Sequence, residues 1–514
     1  MGVDMMRFLG ACAVALAVTI GAFGADAQTA VPRNRTLVIA QNFDPQSLWP
    51  NATTASDNLN AGAAIVEPLY WPDPRTGKPQ PLLVESHRLL EPTLVQLKLR
   101  PGVTFSNGEK MDAAAVVHSI DLFVDPKIAP AYAMYAKTIA GAEKVDDLTV
   151  NVRMAFAYPA IDLLLTQIYV TPPGYWKQVG AAGFQQKPIG TGPFKFVEWV
   201  KDNRLVMDRN ETYWGKPLQN IDRVIWRPVP DDTSRAAGLE TGEYDIATNL
   251  AITSVLRLEN DARLQIDAVP SFRIFQLILS SLDIHPSPLS DKRVRQAINY
   301  AIDKDAIIKN LMFGKARALN GQVLRREQLG YDPSLKDYPF DPAKARALLA
   351  EAGHPNGINV VFKFPSGRYA QDREVSEAIA GMLAKAGIRT EMVVLEPGEF
   401  LRQLRGRELA PIAFLGLAPL DDPDFQVSQY HSTWRYSYIK DAALDRLIEA
   451  GAQEMDVEKR GAIYREAMRV MHDLAPVAFL YQGADFHGAS KRVRNFQVSG
   501  DQRLYLYGFE LAPR

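Results

Sequence analysis

Apolar and polar positions alternate along much of the chain with a period of two. Arg35-Thr-Leu-Val-Ile-Ala40, Val95-Gln-Leu-Lys-Leu-Arg100, Thr149–Met154 and Ile221-Asp-Arg-Val-Ile-Trp-Arg227 read as short strands. Val103–Ser106 and the Asn107-Gly108 turn are expected to complete a hairpin-like unit. Phe272–Leu279 and Ile412–Leu417 are nearly all apolar, as strands covered on both faces should be. Helical spacing appears at Val116, Val117, Ile120 and Phe123 behind an Asp112 cap, and again at Val294, Ala297, Ile298, Ala301 and Ile302. Asp341-Pro342 opens a further helix that Gly353 closes. Strand Ile358–Phe364, helix Glu374–Ala386 and strand Ile388–Leu395 make a β-α-β unit, which predicts a parallel pair. Helices over Ala442–Gln453 and Val457–Asp473 follow, then strands at Ala475–Tyr481 and Leu504–Phe509. No internal repeat or low-complexity linker appears, so the pattern predicts two α/β bodies with several crossings between them.

Lys187-Pro-Ile-Gly-Thr-Gly-Pro-Phe-Lys-Phe-Val-Glu-Trp199 is the densest turn signal, leading into a hairpin through Leu205-Val-Met207. Gly190 and Gly192 are free to take positive φ there, and Pro188 and Pro193 stiffen the loop. The loop is not a phosphate cradle. It lacks the Lys-Ser/Thr of a P-loop and the third glycine of a dinucleotide fingerprint, and a strand follows where those motifs need a helix.

Charge narrows the function. With 58 basic and 59 acidic residues the formal net charge is −1, and no Lys/Arg run forms a nucleic-acid arm. The apolar fraction of 47% is ample for a large core. Arg7, the apolar run Phe8–Phe23 and Ala25-Asp26-Ala27 read as residues 1–27 of a cleavable secretory signal, so the mature chain is expected in a Gram-negative periplasm. Cys12 is the sole cysteine and falls within that segment, which excludes disulfides and thiolate catalysis from the mature chain.

Enzymatic constellations are missing: there is no Gly-x-Ser-x-Gly elbow and no His-Glu-x-x-His, and His285, His431, His472 and His487 never fall at ligand spacing. No cofactor or metal is expected. Two segments suit a polar ligand instead. Ser366-Gly-Arg-Tyr369 follows a strand directly, placing Arg368 and Tyr369 where α/β sheets bind ligands, with Arg368 suited to a carboxylate unless it is simply a solvated loop arginine. Ala418-Pro-Leu-Asp-Asp-Pro-Asp424 also follows a strand, and Asp421 or Asp422 would meet an ammonium or a hydroxyl, unless they merely cap turns. Trp434 and Tyr436, in a run with Tyr430 and Tyr438, would supply an aromatic wall, unless the cluster serves packing alone. Phe272 and the backbone N–H of Gly192 complete the candidate set.

Five segments together resemble the family 5 extracellular solute-binding proteins of ABC transporters, the group holding dipeptide-, oligopeptide-, nickel- and glutathione-binding proteins. They are Leu99-Arg-Pro-Gly-Val-Thr-Phe-Ser-Asn-Gly108, Ile189–Phe194, Leu239-Glu-Thr-Gly-Glu-Tyr-Asp-Ile246, Val294–Asp303, and Phe340–Arg346 with Leu348–Gly353. The resemblance runs over nearly the full mature length. It implies a type II two-lobed periplasmic binding fold with an extra subdomain inserted in lobe I. Lobe I would take residues 28–52, 189–272 and 479–514, the insert 53–188, and lobe II 273–478. It further implies a short-peptide or small-molecule ligand between the lobes, an ABC permease as partner, and a monomer that binds no nucleic acid. The family's peptide binders hold the ligand amine with an aspartate just upstream of an Asp-Pro-Asp-like motif. Here Asp422-Pro-Asp424 would put Pro419 at that position, with Gly416 where a tryptophan is common, so a departure from ordinary dipeptide binding is implied. A secreted peptide or ester hydrolase, or a non-transporting periplasmic sensor or chaperone, are the competing classes.

Overall fold

The structure, a computed structural model, describes residues 31–512 except Arg75 and Pro419. The secretory segment of the sequence reading therefore lies outside the described residues, as does Pro419. An eleven-stranded mixed sheet organises the chain. Across it run Ile388–Leu395, Ile358–Pro365, Ile412–Leu417, Leu264–Leu279, Val477–Ser490, Ile246–Ala247, Thr36–Gln41, Arg223–Pro228, Arg204–Arg209 and Phe194–Val200. The β-α-β unit is parallel as its pattern predicts, with Ile358 opposite Ile388 and Phe364 opposite Val394.

Two strands are much longer than the periodicity suggests. Leu264–Leu279 has 16 residues and Val477–Ser490 has 14, and they pair antiparallel along almost their whole length. Beside Ile274–Leu279 lies Ile412–Leu417 on one edge, and Arg317–Ala318 flanks Tyr481 and Gln482 on the other. The next strand along, Ile246–Ala247, joins only at Gly488 and Ala489. Between these points a two-stranded ribbon carries the sheet from one body to the next.

Each body has its own core. Leu37, Trp49, Leu205 and Trp226 pack around Thr36–Gln41, and Leu277, Ile298, Phe362 and Phe414 pack under the parallel strands. The amphipathic face read at Val294, Ala297 and Ile298 is fully buried there, and the Asp291 carboxylate caps that helix by accepting from the Arg293 N–H. A third core, with Leu97, Phe105, Val116 and Phe123, lies on the separate four-stranded sheet of Val84–Glu91, Leu94–Leu99, Thr149–Met154 and Ile139–Asp146.

The hairpin-like unit at Val103–Gly108 forms as a short antiparallel bridge of Thr104 with Lys110, with the Phe105 N–H donating to the Glu109 carbonyl and the Met111 N–H to that of Val103. Two other local expectations change. Leu504–Phe509 is irregular, because its apolar side chains fill the first body's core while the strand pairing falls to Glu510–Leu511 against Val493–Arg494. Finally, Gly190 and Gly192 are absent from the positive-φ positions. They are small because the loop lies against backbone: a Cβ would sit 1.9 Å from the Ile65 carbonyl oxygen at Gly190 and 2.5 Å from that of Ala64 at Gly192. Beneath this loop the buried Glu67 carboxylate accepts from Thr191 Oγ1 (2.8 Å), Trp214 Nε1 (2.9 Å), Tyr213 OH (3.0 Å) and Tyr507 OH (3.1 Å), and burial pushes its pKa up to about 7.

Candidate ligand-binding site

A cavity of about 510 Å³ opens where the ribbon passes between the bodies, within the range of small-molecule sites. Its floor is laid by both crossing strands: Ser271, Arg273 and Phe275 alternate along one, and Tyr481 with Gly483–Phe486 come from the other. The register of the pair slips between Pro270 and Ile274, leaving Ser271–Arg273 as a bulge. Bulges bend a strand and redirect its side chains. Gly483 has no room for a side chain, since a Cβ would stand 2.9 Å from the Phe275 ring. Phe275 in turn packs against Tyr481 at 4.9 Å and edge-on against Tyr369 at 5.4 Å between ring centroids.

The loop after Ile358–Pro365 forms one wall. The buried carboxylate of Asp372, first residue of the following helix, accepts from the N–H groups of Gly367 (3.1 Å), Arg368 (2.8 Å) and Tyr369 (2.9 Å). Three charge-assisted bonds fix this loop before any ligand arrives. Arg368 Nε donates to Tyr369 OH at 3.0 Å, and that hydroxyl donates to the Gly416 carbonyl at 3.3 Å. The guanidinium carbons of Arg273 and Arg368 stand 5.5 and 5.2 Å from the centre of the Tyr369 ring.

Carboxylates line the same cavity, Asp57 from the other body and Asp485 from the floor. Asp57 sits in the first turn of helix Ser56–Ala63, and burial pushes its pKa up to about 6 while the charge of Arg235 pulls it down. Arg235 is itself buried and donates to the carbonyls of Val229, Pro230, Thr248 and Asn249 at 2.7–3.2 Å. Asp485 accepts from the Gln502 amide at 2.5 Å, and burial raises its pKa. Four residues of the lining keep a buried polar atom without a hydrogen-bond partner among the described residues: Asn42 Oδ1, Asp57 Oδ1, Tyr481 OH and Asp485 Oδ2. An unmet buried polar group costs about 1–3 kcal/mol. Small rotations that turn these atoms toward a polar solute are therefore repaid.

Of the residues singled out in the sequence, Arg368 and Tyr369 line this cavity. The others lie elsewhere. Asp421 forms an ion pair with buried Arg325, whose guanidinium also stacks 4.4 Å over Phe272 and donates to the Phe272 carbonyl. Asp422 receives both terminal nitrogens of Arg460, at 2.6 and 2.8 Å, and caps the N–H of Asp424. Trp434 is held through its carbonyl by Arg407, and Tyr436 packs beside the core around Phe400 and Tyr438. The Gly192 N–H already donates to Ile65 at 2.9 Å. Sequence reasoning passed over Arg273, Asp57, Tyr481 and Asp485. A lone arginine within Phe-Arg-Ile-Phe and a lone aspartate within Gly-Ala-Asp-Phe were the available signals: charge placed in otherwise apolar strands. Among the described residues no cluster of three or more His, Cys, Asp or Glu could hold a metal ion, and no helix is long and apolar enough to cross a membrane.

Residues 78–437 match the family described as bacterial extracellular solute-binding proteins, family 5. The glutathione-binding protein GsiB of Pectobacterium atrosepticum is 28% identical over 429 residues, covering 80% of this chain and 81% of that protein. GsiB of Escherichia coli strain K12 is 30% identical over 331 residues, 63% of each chain. Among solved structures, the periplasmic binding protein DppA of Helicobacter pylori in complex with the peptide STSA superposes with a TM-score of 0.78. It has 25% identity, over 93% of this chain and 98% of that one. HbpA2 of Haemophilus parasuis gives 0.82 at 25% identity, over 93% and 100%. The matched span, the two bodies joined by crossing strands and the cavity between them agree: this chain belongs to the family 5 extracellular solute-binding proteins, the two-lobed periplasmic receptors of ABC importers.

Proposed function

We propose that the chain captures a short peptide or small modified amino-acid derivative, bearing both carboxylate and ammonium groups, in the interlobe cavity and hands it to an inner-membrane permease. The observation carrying this reading is the presence of both charges in one cavity. Arg273 and Arg368 stand over Tyr369, Asp485 lies near Arg273 on the paired crossing strand, and Asp57 comes from the helix Ser56–Ala63 of the other body. Burying a zwitterion requires counter-charges at both ends, since otherwise desolvation outweighs the Coulombic gain. Contacts from both bodies then favour the closed state, because a ligand shifts an equilibrium only by its differential affinity for the two states. The glutathione- and peptide-binding relatives support the same ligand class.

For the domain bounds, core packing supports an insert narrower than 53–188. Leu59, Ala61, Ile65 and Phe184 belong to the core around Thr36–Gln41, whereas residues from Leu69 to Val170 form the third core. The junction of lobes at 272/273 falls within the bulge. Export is proposed to proceed by cleavage after Ala27, and the site is proposed to bind without turnover. Mass spectrometry of the solute retained by protein purified from its native periplasm tests the function. A peptide or amino-acid derivative carrying carboxylate and amine is expected, intact after incubation; a neutral sugar, or a peptide cleaved on standing, overturns it.

A further inference from the structure

The cations around the cavity are not equivalent. Lys315 is paired with Glu259 at 3.1 Å, and Arg235 is fixed by four backbone carbonyls. Arg273 gives none of its guanidinium donors to a hydrogen bond among the described residues, and Arg368 gives only Nε, to Tyr369. Arg273 and Asp485 attract each other through space while that carboxylate is bonded to Gln502. Two positive forks thus share one aromatic ring, with the paired terminal Nη groups of each unused.

Gly416 makes this arrangement possible. It pairs with Phe275 in the sheet, and a Cβ there would stand 2.9 Å from the Phe275 ring, 3.1 Å from Arg273 Cδ and 3.1 Å from the Tyr369 ring. Any side chain at 416 would push the ring and the Arg273 stem apart. Asp372, through its three bonds to the 367–369 backbone, is a positioning residue for the other arginine.

Resting on the receptor reading above, we propose that Arg273 and Arg368 form a paired guanidinium site selecting ligands with two carboxylates over ligands with one. A single carboxylate satisfies one fork bidentately and leaves the second cation repelled by the first. Two carboxylates satisfy both and cancel the repulsion. Gly416 and Tyr369 set the spacing at which the pair can be read, and an ammonium on the same ligand falls to Asp57 or Asp485.

Calorimetric titration of the mature protein with Ala-Glu and Ala-Gln isolates the second carboxylate. Ala-Glu is expected to bind at least tenfold more tightly. Arg273→Gln and Arg368→Gln should each collapse that ratio to within threefold. Gly416→Ala, which keeps both charges, should narrow it. Arg273→Lys keeps the charge without the fork and gives a second reading should the glutamine variant fold poorly; it too should lower the ratio. Equal affinities for the two dipeptides, or a preference that survives both glutamine variants, overturn the paired site and leave the peptide-receptor reading standing. Binding of neither dipeptide overturns the peptide reading instead, and glutarate against butyrate then decides the pair: preference for glutarate upholds it, and equal or absent binding overturns it.

Discussion

Two loops leave adjacent parallel strands at the same edge of the sheet, one after Ile358–Pro365 and one after Ile412–Leu417. In sequence both look like ligand sites, because each sets charged residues just beyond a buried strand. In the folded chain the first leaves the guanidinium of Arg368 open to the cavity. The second consumes its charges internally: Asp421 on Arg325, Asp422 on Arg460, and Asp424 beside Tyr464 OH at 3.4 Å. Phe425, next in line, packs edge-on against Tyr135 at 4.8 Å and so joins this loop to the core of the four-stranded sheet. Two loops alike in sequence thus differ in whether the protein pairs their charges for itself.

The largest effect should come from breaking the paired loop. Arg460→Met removes the buried counter-charge of half-buried Asp422, and losing one partner of a largely buried pair is destabilising by up to about 3 kcal/mol. Denaturant unfolding should show that loss, with calorimetric affinity for the retained solute changed less than threefold. A large loss of affinity at unchanged stability would erase the contrast between the loops.

A smaller effect concerns acid. Burial, with Asp422 adding to it, raises the Asp424 pKa from 3.8 to about 6. A carboxyl whose folded pKa is raised contributes stability that is fully present below the unfolded value and lost as pH climbs through the folded one. Between pH 4 and 7 this group should therefore cost the fold about 2–3 kcal/mol. Asp424→Asn should flatten that part of the stability–pH curve, measured by denaturant midpoints at fixed pH steps. An unchanged slope would remove Asp424 as its source.

The smallest effect is expected at Tyr436, which lies on a core away from the cavity. Tyr436→Phe should leave affinity within twofold and stability within about 0.5 kcal/mol. A tenfold loss of affinity would extend the site to the second loop after all.

Much of this architecture was legible in the chain. Ile412–Leu417 and Ala442–Gln453 fall where their periodicity puts them, and Asp112, Asp291 and Asp341 cap the helices they precede. The position of Arg368 on the cavity lining was legible because it follows a parallel strand directly, at the edge where α/β sheets open their crevices. The crossing strands were not. The apolar segments Phe272–Leu279 and Ala475–Tyr481 mark only the halves buried within lobe II, and the remaining halves mix polar residues, Pro270, Gly483 and Gly488 as they pass the cavity. Nor could spacing reveal that Asp57, Arg273 and Asp485, hundreds of positions apart in part, converge on one cavity. That convergence is a property of the ribbon and not of any local pattern.

The bulge at Ser271–Arg273 has a mechanical meaning. If the lobes swing by flexing the ribbon, the bulge lies at the fulcrum, where displacement is least. A group anchored to Arg273 would keep its anchor through the whole stroke, while Arg368 and Asp57, out on the two lever arms, would gain or lose their grip with the angle between them.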